Sequence, residues 1–282
     1  MRDTTLFFSS DGSAVTASDL RGCLERAGAG GASCLFIHSE LSFGAPNPEL
    51  GRSGLLHSLL EAVLELKTPT ICVPTFTFSF CNGEVYDVRR SRSHMGAFNE
   101  FVRKHPDAVR SADPLMSCAA LGTGLSIVRD IGTHSVGRES TFDLLHRSGG
   151  ARFLFLGAKP ALCFTYVHYV EAIRGVPYRY HREFTGTAIG ADGNSREATY
   201  TLYVRYPGVV PSGRGELERH LTQLGLLRKA RCGDSEIAVV DEEAAFEETW
   251  KKLDEDIDFL LATPYPRTGL REVFEAHDMR AL

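Results

Sequence analysis

The sequence predicts an α/β fold in a single domain, residues 1–282, with an antiparallel hairpin excursion in its last third. Short apolar runs bounded by glycine or proline alternate with segments that repeat apolar residues at helical spacing, the pattern of strands and helices that share one sheet. The chain is 43% apolar and 24% charged, which is typical of a globular protein. The run Ala191-Asp192-Gly193-Asn194 has the composition of a hairpin turn and lies between two strand-like segments.

The elements of the first half are predicted from caps and chain-breaking residues. A helix is expected over 17–28, where Ser18 is a suitable N-cap and glycines follow. The apolar run 34–38 follows a glycine-rich turn and predicts a buried strand. Leucine and valine recur at helical spacing over 53–66, and prolines mark both ends of a second buried strand over 69–74. A further helix is expected over 96–103.

The second half continues the alternation. Strands are expected over 117–121 and 153–156, because each apolar run there is followed by a glycine. A helix is expected over 165–174, with His168 and Glu171 on one face because they are three residues apart. The remaining predictions are the hairpin strands 184–189 and 198–205, helices over 216–224 and 243–261, and a short strand over 237–240.

Composition excludes several classes of protein. The net charge of -5 and the lack of a basic stripe argue against nucleic-acid binding. No apolar run approaches the ~20 residues needed to cross a membrane, and the N-terminus lacks a secretory pattern, so a cytoplasmic protein is expected. Seven scattered cysteines without a Cys-x-x-Cys pair favour reduced core residues, and no metal site is expected.

Common catalytic motifs are missing from the sequence. Gly122-Thr123-Gly124 follows a strand, but Ile127 stands where a dinucleotide-binding loop has its third glycine. There is no Walker lysine after a glycine loop and no Gly-x-Ser-x-Gly nucleophile elbow. The phosphate-binding loop of the common acetyltransferase fold is also missing.

Polar clusters at the ends of predicted strands carry a family resemblance. They are His38-Ser39-x-x-Ser42-x-Gly44, Pro74-Thr75-Phe76-Thr77, Ser91-x-Ser93-x-Met95-Gly96-Ala97, Val109-Arg110-Ser111-x-Asp113-Pro114-x-x-Ser117-x-Ala119-Ala120-x-Gly122, Leu154-Phe155-Leu156-Gly157 and Thr165-x-x-His168-x-x-Glu171. In this order, over roughly residues 17–265, the set resembles the aminoglycoside 3-N-acetyltransferase family. The resemblance implies a three-layer α/β/α sandwich with a mixed central sheet, and acetyl-CoA as co-substrate without a metal.

The resemblance also assigns roles to residues. His168 and Glu171 map onto the catalytic pair of the family, with His168 as general base and Glu171 bonding its second nitrogen. Thr75 is a candidate to polarise the thioester carbonyl. The residues expected to line the coenzyme are His38, Ser39, Phe43, Gly44, Thr75, Phe76, Thr77, Arg110, Ser111 and Ser117. Those expected at the amine are Asp113, Glu171 and Tyr178.

One departure from the family pattern changes the expected acceptor. The family usually has a histidine in Arg-Ser-x-His-Pro, where this chain has Asp113, so a small amine such as an amino sugar is expected rather than an aminoglycoside. The coenzyme phosphates are expected near Arg89, Arg90 and Arg92 or at the start of the helix near Ser53. The sequence is compatible with a homodimer.

Two other functions stay open at this point. One is a Ser/His hydrolase of thioesterase type that uses Ser39 or Ser117 with His168. The other is a catalytically silent ligand-binding protein of the same fold.

Overall fold

The computed structural model of the protein describes residues 3–211 and 214–274. The strands assigned in these residues are β1 (Thr5–Phe8), β2 (Ala14–Thr16), β3 (Cys34–Ser39), β4 (Ala45–Pro46), β5 (Thr70–Pro74), β6 (Tyr86–Asp87), β7 (Val109–Arg110), β8 (Cys118–Gly122), β9 (Ala151–Leu156), β10 (Arg179–Ile189), β11 (Ser195–Arg205), β12 (Arg228–Cys232) and β13 (Ser235–Asp241). The α-helices are α1 (Ala17–Arg26), α2 (Gly51–Leu64), α3 (Ala97–Arg103), α4 (Ser126–Arg129), α5 (Thr141–Ser148), α6 (Pro160–Cys163), α7 (Val167–Arg174), α8 (Arg214–Gln223) and α9 (Glu242–Glu255).

The central sheet has seven strands in the order β12-β13-β9-β3-β5-β8-β7. Its middle strand, β3, pairs in parallel with both β9 and β5, while β13, β8 and β7 join antiparallel to their neighbours. The mixed α/β class expected from the sequence is therefore confirmed. Because β3, β5 and β9 are parallel, their carboxyl ends lie at one edge of the sheet, and the polar segments that follow them meet there.

Apolar side chains cover both faces of this sheet. Successive residues of a strand point to opposite faces, and along β3 Phe36 belongs to one apolar cluster while Leu35 and Ile37 belong to the other. Helices α1 to α3 contribute to the Leu35 cluster, and α5, α7 and α9 contribute to the Phe36 cluster. The two apolar layers hold the sheet, and its polar edge, in place.

The hairpin of β10 and β11 is longer than the sequence predicts. Its eleven paired positions run from Arg179 opposite Arg205 to Ile189 opposite Ser195, and β6 joins β10 in parallel. The expected strand began at residue 184, because residues 179–183 are mostly polar and do not alternate. Pairing with β11 nevertheless makes these residues a strand, which brings Arg179 into the interior.

Smaller differences concern helix ends. Thr16, not Ser18, is the N-cap of α1, where its hydroxyl accepts from the Asp19 backbone and the Asp19 carboxylate bonds the Thr16 backbone in return. Helix α9 ends at Glu255, earlier than the expected 261, because Asp256 has an extended backbone. All seven cysteines are free thiols. Within 3–211 and 214–274, no helix is long and apolar enough to cross a bilayer.

Candidate active site

Helix α7 supplies the two residues that the sequence places in the catalytic pair. It follows the loop after β9, and Gly157 starts that loop with a positive φ of 72°. A Cβ at this position would lie 2.1 Å from the carbonyl oxygen of Glu40, so the two strand-end loops pass in close contact there. This contact fixes the start of the segment that leads through α6 to α7 beside the carboxyl end of β3.

His168 and Glu171 are in direct contact, one turn apart on α7. The Nδ1 atom of His168 lies 2.6 Å from Glu171 Oε2. The other carboxylate oxygen, Oε1, accepts from the Tyr178 hydroxyl at 2.9 Å. Arg179 reaches the same pair from β10, with Nη2 3.0 Å from Glu171 Oε2 and 2.9 Å from His168 Nδ1. All four side chains are buried, so water does not compete for these bonds.

The electrostatics of this cluster fix the protonation of the ring. Burial and the positive charge of Arg179 lower the pKa of His168 to about 4. Burial alone would raise the pKa of Glu171, but Arg179 and His168 hold it at about 2. An ionised carboxylate only accepts hydrogen bonds, so we assign the ring proton to Nδ1, which donates to Glu171 Oε2 at 2.6 Å. Arg179 Nη2 is itself a donor and then donates to Glu171 Oε2 rather than to the ring. The lone pair of His168 is then on Nε2.

Several other buried polar atoms of this region have no hydrogen-bond partner in the part of the chain that the structure describes. They are His38 Nε2, Thr165 Oγ1, His168 Nε2, Arg179 Nε, Tyr180 Oη and Arg214 Nη1. Buried polar groups are rarely left unpaired in a folded protein, and each such exception calls for an explanation. Arg179 contacts His168, and the charge of Arg214 acts on both His168 and His38, so several of these unpaired atoms belong to one polar cluster. Such a cluster is the pattern of a site that completes its bonds with a ligand.

His38 lies on β3 with its ring stacked on Phe155, at 5.4 Å between centroids. Burial and the charge of Arg214 lower its pKa to about 3, so it is neutral near pH 7. His38 is one of the residues that the sequence predicts at a strand end, and its Nε2 atom is among the unpaired buried atoms. Its neutral ring can therefore form a hydrogen bond through Nε2 without adding a charge to the site.

Thr75 belongs to a closed hydrogen-bond network. Its hydroxyl donates to the Ser117 carbonyl at 3.0 Å and accepts from Arg110 Nε at 3.1 Å. The Ser117 hydroxyl donates to the Thr75 carbonyl at 2.7 Å, and Thr75 and Ser117 are both fully buried. The proton that would polarise a thioester is already used inside the protein. This geometry argues against the catalytic role expected for Thr75, and it indicates that Arg110 and Ser117 hold two strand ends together.

The next residues along these strand ends are also bonded internally. Thr77 donates to the Pro114 carbonyl at 3.0 Å, and the Ser111 hydroxyl accepts from the Cys118 backbone at 3.0 Å. Phe76 is buried in the apolar cluster that contains Phe36. Among the described residues these three make packing and backbone contacts, and their expected contact with the coenzyme stays a prediction.

The loop after β3 divides between two environments. The Ser39 hydroxyl donates to Asn99 Oδ1 at 2.8 Å, next to the start of α3. Phe43 packs in the opposite cluster, 5.4 Å from the ring of Phe7, and Gly44 approaches the Phe8 backbone with a φ of 138°. Ser39 therefore lies at the polar edge, whereas Phe43 and Gly44 lie away from His168 and anchor the loop.

Asp113 is buried below the hairpin. Its Oδ1 accepts from the backbone of Leu115 and Met116 at 2.8 and 3.0 Å and from the Ser135 hydroxyl at 3.0 Å. Burial raises its pKa to about 6. These bonds make Asp113 a turn-forming residue, which argues against the expected contact with a substrate ammonium. Tyr178, expected at the amine, instead orients Glu171.

Two arginines of this region were not predicted from the sequence. Arg179 is the first residue of β10, and Arg214 is the first residue of α8. Both arginines are more than ten residues from His168 in the sequence, yet their charges act on its ring. A separation of this length is outside any local sequence motif. A sequence signal for Arg179 is the proline-aromatic stretch Val176-Pro177-Tyr178-Arg179-Tyr180, which contains it.

A basic cleft of about 410 Å³ lies beyond Ser39, at the start of α2 and α3. The side chains that line it are Arg52, Ser53, Leu56, Arg92, Ala97, Glu100, Phe101 and Lys104. Glu100 is paired with Arg103 at 2.7 Å, and neither helix has a side-chain cap at its N-terminus. Of the expected phosphate contacts, Arg92 and the start of α2 line this cleft. Arg89 and Arg90 are exposed outside its lining.

No group of three or more His, Cys, Asp or Glu side chains in residues 3–211 and 214–274 is arranged to hold a metal ion.

Comparisons with known proteins agree with this architecture. The model of the aminoglycoside 3-N-acetyltransferase family matches residues 36–254. A comparison with curated protein sequences finds no match.

Solved structures show the same fold at low identity. An AAC-IIIb binary complex with CoASH has a TM-score of 0.73 and 19% identity over 89% of this chain and 98% of its own. Aminoglycoside acetyltransferase AAC(3)-Xa has a TM-score of 0.73 and 23% identity over 87% and 94%. The YokD protein from Bacillus subtilis has a TM-score of 0.71 and 16% identity over 90% and 96%.

Proposed function

The chain belongs to the aminoglycoside 3-N-acetyltransferase family, and from this premise we propose that it transfers the acetyl group of acetyl-CoA to a primary amine, with His168 as general base. One observation carries the proposal: a buried histidine has its Nδ1 atom 2.6 Å from a carboxylate oxygen and its Nε2 atom without a partner among the described residues. An enzyme that transfers an acyl group to an amine needs such a lone pair to take the proton of the attacking amine.

The proposed reaction uses each contact of the pair. The amine nitrogen forms a bond to the thioester carbon while its proton passes to His168 Nε2. Glu171 stabilises the imidazolium that results, because its carboxylate is bonded to Nδ1. The tetrahedral intermediate then breaks its carbon–sulfur bond, and the thiolate of the coenzyme takes the proton from His168.

We assign the phosphate end of the coenzyme to the basic cleft lined by Arg52, Arg92 and Lys104. Phosphate groups bind favourably where arginine side chains and uncapped helix N-termini meet. Ser39 lies between this cleft and His38, since its hydroxyl bonds Asn99 of α3. The thioester would therefore approach His168 along the ends of β3 and β5.

We also infer the three-layer α/β/α arrangement and the single-domain organisation. Both rest on the apolar clusters that cover the two faces of one seven-stranded sheet, each with its own set of helices.

The hydrolase alternative has less support. Ser117 donates to the Thr75 carbonyl and Ser39 donates to Asn99, so neither hydroxyl is bonded to His168. A serine nucleophile needs that bond to lose its proton.

His168→Ala tests the proposed base. A positioned base contributes about 10²- to 10⁴-fold, so kcat for thiol release from acetyl-CoA with an amine acceptor should fall by that factor, while acetyl-CoA still raises the melting temperature. His57→Ala, an exposed histidine on α2, is the matched control. A folded His168→Ala protein that keeps more than about a tenth of the wild-type kcat would contradict the assignment.

Arg92→Gln and Arg52→Gln test the phosphate cleft. Each variant should raise the KM for acetyl-CoA by about 10-fold with little change in kcat, because a charged hydrogen bond to the coenzyme contributes equally before and during reaction. Arg90→Gln, which removes an exposed arginine outside the cleft, is the control. Unchanged KM values in both cleft variants would place the phosphates elsewhere.

A further inference from the structure

Arg214 carries a charge that the residues around His168 do not neutralise. Its side chain is half-buried at the start of α8, and its Nη1 atom is fully buried without a partner in the described chain. Helix α8 is held in this position by α6, since Glu218 accepts from the Ala161 backbone at 3.0 Å and Gly215 faces the Ala161 side chain. The guanidinium is therefore kept beside the segment that leads into α7.

The charged groups around Arg214 do not neutralise its positive charge. Among the described residues, Glu171 is the carboxylate whose charge acts on it, and Arg179 opposes that effect. Both oxygens of Glu171 are already bonded, one to His168 and Arg179 and the other to Tyr178. The charge of Arg214 also reaches the rings of His168 and His38, whose Nε2 atoms are unpaired. A buried charged nitrogen without a partner is costly, and Nη1 of the half-buried Arg214 is such an atom, so an anion should complete this site.

The anion belongs to the acceptor rather than to the coenzyme. If His168 takes the proton of the attacking amine, the thioester lies at the same point. The phosphates of acetyl-CoA are separated from that thioester by the whole pantetheine arm, and they cannot reach an arginine beside the base. A ligand group at Arg214 must then come from the molecule that carries the amine.

We propose that Arg214 binds an anionic substituent, a phosphate or a carboxylate, on the amine acceptor. This inference rests on the proposed acetyl transfer and narrows its substrate class to amines that carry a negative charge. Guanidinium groups recognise both substituents through paired N–H donors. A polycationic acceptor would meet the uncompensated charge of Arg214 instead, and Asp113, the carboxylate expected to attract it, is occupied by backbone and Ser135.

Two matched pairs of acceptors test the proposal by thiol release from acetyl-CoA. The first pair is glucosamine 6-phosphate and glucosamine, and the second is 4-aminobutyrate and 4-aminobutanamide, so that the pairs separate phosphate from carboxylate. We expect kcat/KM to be about 10- to 100-fold higher for the anionic member of at least one pair, the range that a charged hydrogen bond supplies. Arg214→Gln should remove this preference through KM, and Arg214→Lys should keep part of it.

The control is Arg219→Gln, which removes an exposed arginine from the same helix. A preference that survives in Arg214→Gln would overturn the inference. An equal loss on charged and neutral members would also overturn it, because it would show that Arg214 acts on the thioester. In either case acetyl transfer itself would stand.

A binding measurement separates this inference from the proposed function. With the enzyme saturated by CoA, the preferred anionic acceptor should raise the melting temperature of the wild type and of Arg219→Gln, but not of Arg214→Gln. The same rise in all three proteins, or no rise in any, would overturn the anion site. If none of the acceptors supported thiol release from acetyl-CoA, that result would instead count against the proposed acetyl transfer.

Discussion

Three side chains surround the ring of His168, and each acts on a different part of its proton chemistry. Glu171 fixes the proton on Nδ1, Tyr178 holds the far oxygen of Glu171, and Arg179 bonds the near one. Burial and the charge of Arg179 both oppose protonation of the ring, and together they lower the pKa of His168 below that of an ordinary histidine. The ring of His168 is therefore neutral over a wider pH range than that of an ordinary histidine.

Arg179→Met is expected to move the pH profile. Without the guanidinium, the pKa of His168 rises from about 4, so the acidic limb of kcat/KM for acetyl-CoA should shift upward by about 1 to 2 pH units. Arg182→Met, on the opposite face of the same strand, is the control and should leave the limb in place. An unmoved limb in a folded Arg179→Met protein would mean that another group sets it.

At this scale the sequence predicts the contact between His168 and Glu171 better than the surroundings of that pair. The spacing of His168 and Glu171 on a helix is local, and their contact is confirmed by the structure. The expected role of Thr75 depended on the acceptor of its hydroxyl proton, which is the carbonyl of Ser117, the residue before β8. Arg214 approaches from α8, so only the folded chain brings it to the pair.

The sequence predicts the first and last residues of some elements to within a few positions. These are helices that bury an apolar face and strands that consist of an apolar run. The strands β3 and β5 and the helices α2 and α7 are examples. The unpredicted elements are short or polar: near the N-terminus β1 pairs with both β2 and β4, and α5 has eight residues. Such segments depend on partners distant in sequence more than on their own composition.

Gly157 and Gly175 form a matched pair for a test of element placement. Both have a φ of 72°, but a Cβ at Gly157 would meet the Glu40 carbonyl at 2.1 Å, whereas a Cβ at Gly175 would meet nothing within 4 Å. Gly175→Ala should cost about 1 kcal/mol of unfolding free energy from backbone strain alone. Gly157→Ala should cost at least about 3 kcal/mol, because the strand-end loops must separate. Equal losses in urea unfolding would show that the loops yield easily.

For the molecule as a whole, two buried neutral histidines should make stability depend on pH. The folded pKa values of His168 and His38, about 4 and about 3, lie below the ordinary value of 6.5. The unfolded chain then binds more protons between pH 6.5 and 4, so stability present above 6.5 is lost as pH falls. Asp113, with its pKa raised to about 6, works in the opposite direction over part of this range.

The net loss should be on the order of 3 kcal/mol between pH 6.5 and 4, measured by urea unfolding. Below pH 4.5 the loss should continue as Glu171, whose folded pKa is about 2, becomes protonated in the unfolded chain. His38→Gln should flatten the dependence, and His57→Gln, at an exposed site, should not. A stability that stays level down to pH 4 would contradict the neutral burial of both rings.

The parallel pairing of β3 with β9 also governs how the protein reaches its native state. Cys34 lies beside Ala151 in this pairing, so forming it closes a loop that contains all the residues between these two positions. Closing so large a loop costs entropy before the new contacts repay it, which places the protein among folders of milliseconds to seconds. During that interval the apolar strands β3 and β5 have unpaired edges, and at high concentration two refolding chains can pair with each other there. Refolding yield should therefore fall with protein concentration even where the native enzyme is stable.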